Sequence, residues 1–459
     1  MSGWTNLREL FFAECQQRIE EGCSKQSVQK LKQQVEELPE DAPATLILPV
    51  YEELMKFDIA PDFPYEEPND LEEIEKLRPQ GRQTLKTSIG QDHLYNKIHG
   101  AWLGRCIGCA LGRPLETHLF MSGHDQQPGW VFVKDYLLGA NAWPLDFYVP
   151  GSSTSEVGKV YNKGSTKEHI AFMESDDDIR YTVIGLKLIK NYRGDFTTSD
   201  VGRTWLWTLP YIHVCTAERQ AYRNMVIKMR GHDHFSPADL VFIRRNLNPY
   251  REWIGAQIRA DAFGYACPGN PELAAKLAYR DAILSHEKNG VYGEMFIAAV
   301  ISAALVLDGK TGDIEKALRI GLSKIPRTSR LYESIERAMA LATEVETQEE
   351  LFEMLWNSFG HYNPVHTINN AALCTAALLF GQDDFEKAVT TAVACGWDTD
   401  CNGATVGSIW GALYGEDAIP SKWKEPLNDT LYSGIVDFHP IRISECARQS
   451  FESRLWLIE

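Results

Sequence analysis

The chain has 459 residues, 44% of them hydrophobic and 24% charged, with 12 Trp, 18 Tyr and 19 Phe, enough for one large core or more than one domain. A formal net charge of −17 excludes general binding to nucleic acid or to an anionic membrane surface, since both require a positive face. It leaves room for a phosphate-bearing small ligand held by local Arg, backbone N–H groups or metal.

No apolar run reaches membrane-spanning length, and acids stand near Met1 where a signal peptide keeps its hydrophobic stretch. The ten cysteines are scattered, so a reducing, cytoplasmic location is expected. Residues 4–57 read as helical: Leu7, Leu10, Phe11, Cys15 and Ile19 recur at helical spacing, Glu21-Gly22 ends the run, and further patterns follow at Val28–Leu38 and Ala44–Met55. Residues 58–91, with Pro61, Pro64, Pro68 and Pro79 among many acids, read as an irregular linker wrapped on the main body. The division expected is therefore 1–91, a helical N-terminal extension and linker, and 92–459, the main domain.

From Tyr95 to Glu116, Gly100, Gly104, Gly108 and Gly112 recur every fourth residue and form a bare stripe. Each interior glycine costs about 1 kcal/mol relative to Ala, so very close packing must compensate. Cys106 and Cys109 fall in this apolar segment and are expected to be buried thiols rather than a zinc or redox pair. A short strand is expected at Gly129–Val133. Ile179–Ile189 is apolar on one face, and Gly290–Phe296 reads as a turn feeding a helix from Gly293 to about Leu307. Helices follow at 313–322, 329–344, 347–358, 367–380 and 383–395. A second stripe, Gly403, Gly407, Gly411 and Gly415, predicts that the two glycine helices pack together, and antiparallel packing would set Glu116 beside Asp398 and Asp400. The fold class expected is all-α, a compact multi-helix bundle without the βα alternation of a dinucleotide-binding sheet. No Gly-rich Lys-Ser/Thr phosphate loop, Ser nucleophile elbow or His-Glu-x-x-His motif occurs.

Two acidic knots carry the chemistry. Asp398 and Asp400 stand two apart between Gly396 and Gly403, and Ser175-Asp176-Asp177-Asp178 opens a helix far upstream. A single Asp at a helix start is ordinarily a cap. Three consecutive acids repel more than capping offsets, and two such knots together make an oxygen cage for a hard divalent cation such as Mg²⁺ or Ca²⁺.

The segment Asp92–Glu116, ending in Arg-Pro-Leu-Glu, resembles the opening helix of the ADP-ribosylglycohydrolase family, of the dinitrogenase-reductase-activating type. Ser175-Asp-Asp is similar to that family's Thr-Asp-Asp motif, and Gly396-Trp-Asp-Thr-Asp-Cys-Asn to its Gly-Gly-Asp-Thr-Asp-Thr motif. The matches keep the family's order and leave the N-terminal extension outside. The resemblance implies an all-helical ADP-ribosylglycohydrolase-like fold with two Mg²⁺ ions (Mn²⁺ or Ca²⁺ as alternatives) held by Ser175, Asp176, Asp177, Asp398 and Asp400. Cys401 departs from the family's Thr, and a thiol is a poor Mg²⁺ ligand; Asp178 also departs, adding charge to the cage.

The implied activity is hydrolysis of a ribosyl C1 bond, first of an ADP-ribosyl conjugate, small or protein-linked. The alternatives are a smaller ribosyl or nucleoside-type substrate, or a non-catalytic binding relative. Glu116, Asp177 and Asp400 are the expected catalytic carboxylates, with Glu116 handling a proton or gating the leaving group. The stretch Asn248–Asp261 and its continuation suit a ligand groove, with Gly255, Arg259, Phe263, Tyr265 and Trp397 as substrate-binding candidates. His286 and His366 are expected to be hydrogen-bonded structural residues.

Overall fold

The computed structural model describes residues 5–79, 85, 89–229 and 234–457. Part of the expected linker, residues 80–84 and 86–88, lies outside the described residues. Among those described the fold is all-α: 22 α-helices and a single two-residue strand pair, Thr430–Leu431 antiparallel to Ile441–Arg442. Among the described residues no helix is long and apolar enough to cross a membrane.

Helices Leu7–Glu20, Lys25–Glu36 and Ala44–Leu54 make up the N-terminal extension and close over their own small core, which includes Leu10, Phe11, Val28, Leu31, Val35 and Leu54. Asn6 and Ser24 cap the first two by accepting from the N–H groups of Glu9 and Ser27. The linker contains one helix, Leu71–Leu77, begun by Asp70, whose carboxylate accepts from Glu72 and Glu73 N–H. It does run along the body: the Tyr279 hydroxyl donates to Asn69 O at 2.9 Å, and Arg327 N–H to Leu77 O at 3.0 Å.

The two glycine helices, Gln91–Gly112 and Thr399–Tyr414, form the spine. They are antiparallel, with Gly104 against Gly407, Gly108 against Gly403, and Gly100 against Gly411 and Gly415. A Cβ on Gly100 would stand 2.5 Å from Gly415 C and 2.8 Å from Gly411 O, closer than real Cβ atoms approach backbone. Only glycine permits this distance. Around the spine pack the remaining helices, including Asp177–Tyr192, Asn289–Ala304, Arg330–Glu344, Thr367–Gly381 and Phe385–Ala394.

Two local expectations are corrected. Gly129–Val133 is not a strand but the start of helix Gly129–Gly139, whose Val133, Tyr136 and Leu137 face the core at helical spacing; a five-residue apolar run carries too little periodicity to separate the two. Gly290–Phe296 is not a turn, since the helix already begins at Asn289. Gly290 and Gly293 are there for close approach: a Cβ on Gly290 would lie 2.5 Å from Arg251 O, and one on Gly293 would strike Thr367.

Candidate metal centre and cleft

Both acidic knots start helices, and the spine brings the starts together. Asp176 is the N-cap of helix Asp177–Tyr192, its carboxylate accepting from Asp178 N–H at 3.1 Å. Asp398 precedes helix Thr399–Tyr414, with Asp400 in that helix's first turn. The approach is a tight bend, Gly396 at φ +82° and Trp397 at φ +57°. The antiparallel register puts Gly112 against Thr399 and Asp400, and the Thr399 hydroxyl donates to Gly112 O at 2.9 Å. Glu116, four residues past the end of the first glycine helix, thereby joins Asp398 and Asp400 in lining a cleft of about 460 Å³ that Asp177 also lines.

Ligand atoms of Cys109, Asp176, Asp178 and Asp400 all lie within 4.8 Å of one another, as do those of Asp398, Asp400 and Cys401. The local cations are already engaged. Arg113 Nε donates to Asp176 at 2.9 Å and its Nη1 to Glu174 at 2.5 Å. Arg105 donates to Asp261 at 2.8 Å and to the Asp178 carbonyl and carboxylate. Burial and mutual repulsion therefore raise the carboxyls: Asp177 to about 7, from desolvation and then Asp176; Asp400 to about 6, from desolvation and again Asp176. Asp398 is pushed well above its usual range by burial and then by Asp400. Glu116 is likewise raised, first by loss of water and then by Asp400 and Asp398.

Clustered hard oxygen donors with too little positive charge around them fit a divalent cation, which would reverse these shifts. Asp176, Asp178, Asp398 and Asp400 supply the carboxylates of these two clusters; Asp177 stands outside both and lines the cleft. Cys109 and Cys401 are buried free thiols, one in each of these clusters. Ser175 Oγ accepts from Arg180 at 2.8 Å and donates to Ser433 O at 3.2 Å, which leaves it one lone pair.

Besides these acids the cleft is lined by the apolar side chains of Trp253, Ile254, Ile258, Pro364 and Val365. Of the substrate-binding candidates, Gly255 lines it. The other four lie outside its lining. Arg259 is buried in its own ion cage, paired with Asp281 and, at 2.6 Å, Glu218. Phe263 packs in the core against Phe196, and the Tyr265 hydroxyl is bonded to Asp261 and Ser408. Trp397 is buried behind the acids, 5.0 Å from the Trp356 ring. The segment from Arg259 to Tyr265 becomes a short helical stretch turned inward, so aromatic and Arg density marked core here, not groove. Sequence reasoning missed His118, Cys215, Thr216, Glu218 and Asn363–Val365 in the lining and Cys109 beside the acids. None carries a local signal; each is a contact made only by folding. His286 and His366 are fully buried, the first bonded to Ser285 Oγ at 2.8 Å, the second accepting from Ile368 N–H at 3.1 Å.

The family model described as ADP-ribosylglycohydrolase matches residues 90–452, and the chain belongs to that family. Among solved structures, one named "ADP-ribosylglycohydrolase-related protein complex" is similar over 80% of this chain and 99% of its own, at 18% identity and a TM-score of 0.48. No curated protein sequence matches.

Proposed function

We propose that the protein is a divalent-cation-dependent glycosidase that hydrolyses a ribosyl C1 bond, with an ADP-ribosyl conjugate as the first substrate class. One observation carries this reading: Glu116, Asp177, Asp398 and Asp400 face a single cleft from three separate elements. A cation held by Asp176, Asp177, Asp398 and Asp400 would supply Lewis-acid charge to orient the vicinal ribose hydroxyls. The remaining steps belong to the chain. Water adds its oxygen to C1 as the bond from C1 to the leaving atom breaks. One water proton passes to a carboxylate and the leaving atom takes up a proton in return. Glu116, whose hold on a proton is raised by burial and then by Asp400, is the group we assign to that transfer. The other carboxylates stabilise positive charge growing at the anomeric carbon. Trp253, Ile254 and Val365 give the cleft apolar surface that sheds water from a bound ligand.

A second reading, a smaller ribosyl or nucleoside-type substrate, is favoured by one feature: among the described lining residues none is Lys or Arg to meet a pyrophosphate. The test incubates the full chain with N- and O-linked ADP-ribosyl conjugates and with ribonucleosides, each with Mg²⁺, Mn²⁺ or chelator, and reads free ADP-ribose or ribose by mass spectrometry. Release from the conjugates, lost with chelator, supports the first reading. Release only from nucleosides replaces it with the second. No release from any compound defeats both.

A further inference from the structure

The cleft wall at Trp253–Gly255 has no helix or sheet of its own, since residues 250–256 are turns and an isolated bridge. It is tied sideways to the neighbouring wall: Ile254 N–H donates to Val365 O at 2.8 Å and Thr367 N–H to Glu252 O at 3.0 Å. From behind it is anchored by two consecutive charged side chains, Arg251 and Glu252, both 0% exposed. Each takes a partner from the N-terminal extension. Arg251 Nε donates to Glu21 at 2.8 Å and its Nη2 pairs with Glu14 at 2.8 Å, whereas the body's own Glu287 stands 3.7 Å away. Glu252 accepts from Gln17 at 2.8 Å as well as from Asn289 and Arg330 of the body, and Glu67 of the linker bonds to that same pair.

We infer that the first helix of the extension, with Glu21 at its end, is a positioning element of the cleft: Glu14, Gln17 and Glu21 fix Arg251 and Glu252 and so set where Trp253–Gly255 stand. Residues 1–89 lie outside the family match, so this support is an addition to the matched body. The physical reason is the cost of a buried guanidinium that has lost a carboxylate. Arg251 must then swing toward Glu287 or toward water, and the wall two residues on moves with it. A displacement of about 1 Å is enough to misalign a bound ligand. The acids Asp176, Asp177, Asp398 and Asp400 sit on other elements, so cation binding is not tied to this clamp. The ligand-binding part of the inference rests on the cleft reading given above.

The experiment uses the full chain with Glu14→Gln, nearly isosteric, and Gln17→Leu, which leaves the Arg251 pairs in place; Glu37→Gln, on the exposed side of the extension, is the control. Three quantities are measured: amide hydrogen exchange by segment, Mn²⁺ affinity, and affinity for ADP-ribose and adenosine. Exchange should quicken about tenfold at 250–258 and 363–367 while 175–181 and 398–404 keep their rates. Nucleotide or nucleoside affinity should weaken about tenfold with Mn²⁺ affinity held within about twofold. Where turnover is found, the change should fall on KM rather than kcat. Unchanged exchange in the wall, or an equal rise across the whole molecule, overturns the inference. If Glu14→Gln does not fold, Gln17→Leu decides by the same criteria. If the parent chain binds neither ADP-ribose nor adenosine, the cleft reading fails, and the exchange data alone decide the positioning role.

Discussion

Asp398 and Asp177 approach one cleft from helices 221 positions apart in the chain, and neither has a cationic side chain bonded to it among the described contacts. Truncating either should remove a cation ligand without opening a packed core. Asp398→Ala and Asp177→Ala are each expected to lower cation-dependent turnover by about 10²-fold or more and to weaken Mn²⁺ binding in titration; full activity in either variant rejects the assignment. A second residue-scale consequence concerns pH. Burial lowers His366 to about 3, its Nδ1 accepts from Ile368 N–H, and Glu20, Glu252, Arg330 and His361 are the charged or titratable groups around it. A depressed histidine is neutral in the fold at pH values where the unfolded chain binds a proton. Its contribution is therefore present above about pH 6.5 and is lost as pH falls toward 3, at about 1.4 kcal/mol per unit. His366→Asn keeps an acceptor for Ile368 and should flatten that part of the stability–pH curve in urea titrations; an identical slope in the two proteins removes His366 as the cause.

The glycine spine is the feature the element scale turns on. Eight glycines in two stripes were legible as a demand for close contact because nothing else offsets their helical cost. The contact they predicted is observed, and its direction is antiparallel. Gly104→Ala would drive a Cβ into the Gly407 carbonyl, where no rotamer can relieve the clash. About 3 kcal/mol or more of destabilisation is expected in equilibrium unfolding. Gly90→Ala, with nothing within 4 Å of the added atom and φ −64°, should cost about 1 kcal/mol or less. A Gly104→Ala variant as stable as the parent or more so, as helix propensity alone would give, would mean that close contact is not what the stripe serves. Other elements were less readable. Gly290 and Gly293 carry the same residue type for the same reason, yet two glycines three apart look like a turn until Arg251 and Thr367 are seen against them.

At the scale of the molecule, the fold assembles acids that repel one another and so leaves stability for a cation to supply. A ligand that binds only the folded state adds about 2.7 kcal/mol at a hundred times its Kd. Mg²⁺ or Mn²⁺ should therefore raise the Tm by several degrees and chelator should reverse it, with Asp398→Ala blunting the response. A Tm indifferent to either ion at millimolar concentration would count against a divalent site.

The sequence by itself determined the helical class, the family resemblance, the acid knots and the contact between the glycine helices, because each follows from residue types at fixed spacing along a single element. It could not determine which side chains face the cleft. Arg259, Phe263 and Tyr265 have the composition of a ligand groove, and only tertiary packing supplies Asp281, Glu218, Asp261 and Ser408 to satisfy the polar ones inside the core. Pro364, Val365 and Thr216 have no such composition and reach the cleft because distant segments are folded against it. Local pattern records what a residue needs; which neighbour meets the need is decided by the packing of the whole chain.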